Sequence, residues 1–249
     1  MLRAGIAVLA ATFGGVLGLA RKEVSHRTLC ALVSFAAGAL LSVTAMHIAP
    51  EASELAGPGL TAVSIVIGVA IFYLIGKYVS YICPACAASA VDHDKGYLRL
   101  GILLMVALGI HSTMDGIAIA VGAEMQKPAL GLLILFAVSY HKAPEGLALT
   151  SVARLAGFSR SKSLLIAILI ELTTGLGAFI GLLVGGISDR WMGIVLAHAG
   201  GSFLYVVGFA LFTEWREHEK RSIVTYLIAG FLSIWLLGVA LASAGISPH

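Results

Sequence analysis

Residues 98–151 read LRLGILLMVALGIHSTMDGIAIAVGAEMQKPALGLLILFAVSYHKAPEGLALTS, two apolar runs at 98–122 and 128–151 joined by a short polar turn. A helix rises about 1.5 Å per residue, so either run can cross the ~30 Å hydrocarbon core of a bilayer. Neither alternates polar and apolar residues as a membrane strand does. Each carries a His and a carboxylate four residues apart, His111 with Asp115 and His141 with Glu145. That spacing puts both side chains of a pair on one helix face, about one turn apart. An ionisable group deep in a bilayer costs roughly 2.5–3.5 kcal/mol on insertion scales, so two matched pairs on neighbouring spans call for a functional explanation.

The rest of the chain has the same character. Of 249 residues, 59% are hydrophobic and only 12% charged, against about 25% charged in soluble domains. Mean hydropathy is +0.98. Further apolar runs lie at 4–20, 29–49, 59–80, 163–187, 191–213 and 223–246. With the two central runs they predict an all-α polytopic membrane protein of eight transmembrane helices, a single domain over 1–249. A soluble enzyme, a secreted scaffold and a disordered chain are excluded. The net charge of +3 comes from loop Lys and Arg and implies no nucleic acid, and three Cys cannot build a disulfide framework.

Loop cations set the orientation. The first, third, fifth and seventh loops hold Arg21, Lys22 and Arg27; Lys77, Lys95 and Arg99; Arg154, Arg160 and Lys162; and Arg216, Lys220 and Arg221. The opposite side has only Arg3, Lys127 and Arg190. Twelve against three places both termini outside the cytoplasm by the positive-inside rule. A weak internal similarity, AAGALLSV at 36–43 with AGGSFLYV at 199–206, joins spans of opposite direction, as in the inverted repeats of transporters.

Because adjacent spans are antiparallel, His111 comes level with Glu145 and Asp115 with His141. Two imidazoles and two carboxylates suit Zn²⁺ and accept Fe²⁺ or Mn²⁺. The plainer alternative is a set of satisfied ion pairs between packed helices. Pro144 lacks an N–H, frees the Tyr140 carbonyl and kinks the helix beside these residues. Gly116 and Gly146, each directly after its carboxylate, allow close backbone approach.

The two signatures HSTMDG (111–116) and HKAPEGLAL (141–149) resemble those of the ZIP (Zrt/Irt-like) family of divalent-metal transporters. HIAPEA at 47–52, TGLGAFIG at 174–181 and AGGSFLYV at 199–206 resemble that family's patterns in spans 2, 6 and 7, in order. The resemblance implies a ZIP-like bundle and uptake of Zn²⁺ or a similar ion (Fe²⁺, Mn²⁺, Cd²⁺) toward the cytoplasm, with the metal as transported substrate rather than catalytic cofactor. It also implies His111, Asp115, His141 and Glu145 as ligands. Some members hold a second metal through an Asn after the first His, an acid after the second and an acid in span 6. The matching positions here are Ser112, Lys142 and Thr174. All three ligands are missing, which predicts a single-metal site with the Lys142 ammonium in place of the second cation. Glu171, one turn before Thr174, can supply balancing charge. The alternative for Lys142 is snorkelling outward, disfavoured by its depth in the span.

Other polar groups have competing readings. His47 and Glu51, four apart at the outer end of span 2 with Glu54 nearby, form either a capture site at the outer mouth or a solvated interface. Glu214, Glu217, His218 and Glu219 read as a wet helix end or a metal exit, and His198 as a core residue. Cys83 and Cys86 with Asp92-His93-Asp94 form a weak metal site, a redox pair or a plain reduced dithiol, and Cys30 is a small buried residue. The chain has no GxxxxGK[ST] loop, so movement must follow the metal gradient, the membrane potential or coupled protons. A divalent ion gains about 4.6 kcal/mol per 100 mV on entering a negative interior. The rival reading is an intramembrane zinc hydrolase, against which a closed four-ligand site argues, because a catalytic metal keeps an open position. Partners expected are the divalent ion and the bilayer. Small-residue faces at Gly14, Gly15 and Gly18 and at Gly181 with Gly185 permit a homodimer. Compact loops suit the plasma membrane of a prokaryote.

Overall fold

The computed structural model describes residues 1–20, 26–78, 97–124, 128–155, 157–185, 188–217 and 220–245. Every element among them is helical, and no strand occurs. In chain order they are α1 (Leu2–Ala20), α2 (His26–Val43), a π-helical turn (Thr44–Ile48), α3 (Ala49–Ala56), α4 (Pro58–Tyr78), α5 (Tyr97–Glu124), α6 (Pro128–Leu155), α7 (Arg160–Glu171), α8 (Thr173–Gly185), α9 (Asp189–Glu217) and α10 (Lys220–Ser243). Hydrocarbon offers no partner for backbone polar groups, so long apolar segments must satisfy them internally as helices.

Six stretches among the described residues are apolar and long enough to cross a membrane: Leu2–Ala20, Cys30–Ala56, Pro58–Lys77, Arg160–Leu183, Asp189–Phe209 and Arg221–Ser243. The other two long helices, α5 and α6, have 28 residues each, about 42 Å at helical rise, and carry the ionisable cluster. Solvent-side polarity is inverted relative to a soluble protein. Leu9, Phe13, Val66, Phe179, Leu183 and Leu236 are exposed, while His111, Asp115, Lys142 and Glu171 are buried. This is the arrangement that lipid as solvent selects.

Four reciprocal glycine crossings hold the bundle together. Where α1 meets α6, a Cβ on Gly14 would strike the Ala143 carbonyl, and one on Gly146 would strike that of Ala11. Where α5 meets α8, Gly116 lies against the Thr174 carbonyl and Gly177 against that of Thr113. The α2–α10 crossing pairs Gly38 with the Leu227 carbonyl and Gly230 with that of Phe35. The α4–α9 crossing pairs Gly68 with the His198 carbonyl and Gly201 with that of Ile65. Small residues bring helix backbones into van der Waals contact, the main attraction between helices in lipid. Gly18 meets Leu147 further along, so α1 and α6 run in the same direction. Gly109 meets Thr173 and Gly181 meets Ala120, so α5 and α8 do too. By contrast, Gly122 meets Gly131 while Asp115 meets His141, so α5 and α6 are antiparallel. The Gly14, Gly15, Gly18 and Gly181 faces expected to permit dimer pairing are therefore filled within the chain.

Two spans differ from expectation. The helix expected over 29–49 continues to Ala56 through the π-helical turn, in which the Ala49 N–H donates to the Thr44 carbonyl. Pro50 follows directly and has no N–H to continue an α-helical ladder. The span expected over 163–187 is two helices with a turn at Leu172. There the Thr173 hydroxyl is shared between the Ile170 carbonyl at 2.7 Å and the Gly109 carbonyl of α5 at 2.9 Å. That break ends α7 at Glu171 and ties it to α5.

Candidate metal centre

Helix α5 presents His111, Ser112 and Asp115 to the interior, α6 presents His141, Lys142 and Glu145, and the end of α7 adds Glu171. All seven side chains are buried, none more than 8% exposed. One ligand atom from each of His111, Asp115, His141 and Glu145 can be chosen so that all four lie within 4.8 Å of one another. His141 Nε2 is 3.2 Å from Asp115 Oδ2 and 3.9 Å from Glu145 Oε2. His111 Nε2 is 3.7 Å from Asp115 Oδ1. The imidazoles face each other with centroids 5.3 Å apart. His141 Nδ1 sits 3.4 Å from the Ala137 carbonyl and Nε2 is within hydrogen-bond distance of Asp115 Oδ2; with the proton on Nδ1, the Nε2 lone pair can ligate a metal in place of that contact.

The Lys142 ammonium binds three carboxylates. It lies 2.8 Å from Asp115 Oδ2, 2.9 Å from Glu145 Oε2 and 2.9 Å from Glu171 Oε2. It also donates to the Ser112 hydroxyl, which in turn donates to Glu171 Oε2 at 3.2 Å. The opposite oxygens, Asp115 Oδ1, Glu145 Oε1 and Glu171 Oε1, have no hydrogen-bond donor, and neither ring nitrogen of His111 has a hydrogen-bond partner. Buried acceptors left unmade cost about 1–3 kcal/mol each. Asp115 Oδ2 is thus shared between the ammonium and His141 while Oδ1 lies beside His111 without a donor, and Glu145 Oε2 is held by the ammonium while Oε1 has no donor. Lys142 does not snorkel outward; its side chain is fully buried.

Backbone packing sets this geometry. Gly116 admits α8 directly behind Asp115, and Gly146 admits α1 directly behind Glu145, so each carboxylate stands on a segment clamped by a neighbouring backbone. Thr174, at the expected second-site position, is buried, and its carbonyl is the atom Gly116 packs against. Two residues escaped the sequence reading. Phe203 of α9 closes on both imidazoles, with centroids 6.4 Å from His111 and 6.3 Å from His141, and Phe72 of α4 meets His111 edge-on at 5.9 Å. Their only signal was the aromatic within AGGSFLYV.

The chain has further relationships that bear on its class. The family model described as ZIP Zinc transporter matches residues 87–244. The chain belongs to the ZIP zinc transporter family. It is similar to the zinc transporter ZupT of Chlorobium luteolum, 34% identical over 93% of this chain and 95% of that protein. It is likewise similar to the zinc transporter ZupT of Chlorobaculum parvum, 31% identical over 91% of each chain. The zinc transporter GufA of Myxococcus xanthus matches at 30% identity over 56% of each. ZIP membership makes the chain a transporter and not an enzyme, which sets the hydrolase alternative aside. It also agrees with the six membrane-compatible stretches, so this ZIP-family chain is an integral membrane protein.

Other expected groups are not part of the cluster. His47 and Glu51, read as either a capture site at the outer mouth or a solvated interface, are both buried, at 6% and 4% exposure, with the His47 imidazole against Gly238 of α10. His198 is half-buried, and its carbonyl packs on Gly68. Cys30 is buried. The Cys83/Cys86 segment with Asp92-His93-Asp94, the cations Arg21 and Lys22, and His218 and Glu219 lie outside the described residues, as do the side chains of Glu214 and Glu217.

Proposed function

We propose that the protein carries Zn²⁺ across the plasma membrane of a prokaryote toward the cytoplasm, one ion at a time, through a site formed by His111, Asp115, His141 and Glu145. The observation that carries this reading is the convergence of those four groups, with the His111 ring nitrogens and one oxygen each of Asp115 and Glu145 unpartnered, inside a bundle whose outer surface is apolar. Imidazole and carboxylate ligands suit Zn²⁺ and leave Fe²⁺, Mn²⁺ and Cd²⁺ as competing cargo. The names of the similar ZupT and GufA proteins favour zinc. The ion sheds its water among these ligands, and helix bundles rocking about the site expose it alternately to the two sides.

Lys142 occupies the place of a second cation. Its ammonium touches one oxygen of Asp115 and one of Glu145, as a second cation would, while the other oxygen of each has no hydrogen-bond donor. This supports one metal per chain.

Eight crossings follow when α5 and α6 are added to the six apolar stretches, with both termini outside. The parallel pairing of α1 with α6 and of α5 with α8, and the antiparallel pairing of α5 with α6, agree with strict alternation. The four glycine crossings support an inverted repeat: exchanging α1 with α8, α2 with α9, α4 with α10 and α5 with α6 maps each crossing onto another. Gly38 and Gly201, equivalent in the internal sequence similarity, then play equivalent parts. Zn²⁺ uptake into proteoliposomes, compared between wild type and Asp115→Ala/Glu145→Ala, tests the reading: uptake should saturate with metal and vanish in the variant.

A further inference from the structure

Glu171 belongs to neither central motif, yet its carboxylate completes the coordination of the Lys142 ammonium at 2.9 Å, and Ser112 bridges the two side chains. An ammonium has three N–H donors, and here each has a carboxylate within reach. Asp115, Glu145 and Glu171 contribute three negative charges and Lys142 one positive, so the cluster carries −2 when the imidazoles are neutral. One divalent ion brings it to zero. Without Glu171 the same site would be +1 with its ion, and without Lys142 it would be −1. In a buried site such residual charge is poorly screened.

We infer that Lys142 and Glu171 form a charge-matching pair that makes the site selective for ions of charge two. Glu171 is a positioning residue: it cancels the ammonium's charge and, with Ser112, holds it on Asp115 Oδ2 and Glu145 Oε2. Asp115 Oδ1 and Glu145 Oε1, which have no donor, are thereby left to the ion. The inference rests on the reading of His111, Asp115, His141 and Glu145 as ligands. Its reach is specificity: a trivalent ion leaves +1 in the wild-type site and is matched only when Lys142 is removed.

The test compares wild type, Lys142→Gln, Glu171→Gln and the double variant, purified full-length and reconstituted in proteoliposomes. Zn²⁺ affinity is read by chelator competition, and La³⁺ inhibition of Zn²⁺ uptake reads the preference for charge. Glu171→Gln should weaken Zn²⁺ binding on the order of tenfold, within the range of pairwise coupling. Lys142→Gln should make La³⁺ on the order of tenfold more potent relative to Zn²⁺. The double variant restores −2 and should bring both readouts back toward wild type. A merely structural pair would not shift the La³⁺/Zn²⁺ ratio in opposite directions in the two single variants. A double variant that fails to insert, or that inserts and binds no better than Glu171→Gln, overturns the inference. Asp115→Ala separates the two levels. If it still binds and carries Zn²⁺, the ligand reading itself fails; if it loses both while the double variant shows no recovery, only the charge-matching pair fails.

Discussion

Asp115 Oδ2 lies 2.8 Å from the Lys142 ammonium, while Oδ1 of the same carboxylate has no donor and lies 3.7 Å from His111 Nε2. One carboxylate therefore meets the fixed cation and His141 through Oδ2 and stands beside His111 with Oδ1. Asp115→Asn keeps the size but removes the charge and forces an amide NH₂ toward either the ammonium or the ion. Zn²⁺ affinity, measured by chelator competition in detergent, should fall about 100-fold or more, the upper end of what loss of a supporting group costs a metal site.

Lys142→Glu replaces the fixed cation with a carboxylate already flanked by Asp115, Glu145 and Glu171. Bound metal should rise from one ion per chain to two. Elemental analysis of purified protein equilibrated with excess Zn²⁺ measures this directly, and an unchanged stoichiometry would count against Lys142 as the second cation's substitute.

Gly116→Ala introduces a methyl group into the Thr174 backbone behind Asp115, where neither side can yield as a flexible side chain would. Overpacking of this kind costs typically 1–3 kcal/mol. Thermal unfolding in detergent should show a lower midpoint, and uptake should fall because Asp115 moves with the backbone. Gly175→Ala, on the same crossing helix but with open space around the added carbon, should leave the midpoint unchanged or raise it slightly.

The proposed orientation puts both termini outside, so an alkaline phosphatase fused after His249 should be active in cells and a green fluorescent protein fused at the same point dark. The reverse pattern would overturn the orientation drawn from the loop cations.

The central pairs were legible because covalent spacing alone decides which residues share a helix face. His111 with Asp115 and His141 with Glu145 needed only a connection short enough to make their two helices antiparallel neighbours. The burial of Lys142 and its charge partner Glu171 followed from counting charges in a medium that does not tolerate an excess. Contacts between helices distant in sequence were not legible. Nothing local to Gly14 says that it meets Ala143, and nothing in the sequence brings Phe72 of α4 and Phe203 of α9 to the same imidazole. The small-residue faces showed that a close crossing exists but not with which partner. The burial of His47 and Glu51 was not legible for a different reason. The apolar run ends near residue 49, while the helix, reshaped by the π turn before Pro50, continues to Ala56.

The most direct measurement is Zn²⁺ uptake into proteoliposomes by wild type and by the Asp115→Ala/Glu145→Ala variant at matched protein incorporation. The account predicts saturable uptake by the wild type and none above protein-free vesicles in the variant. Undiminished saturable uptake by a correctly inserted variant would contradict it, because the ion would then cross by a route that does not use the α5–α6 cluster.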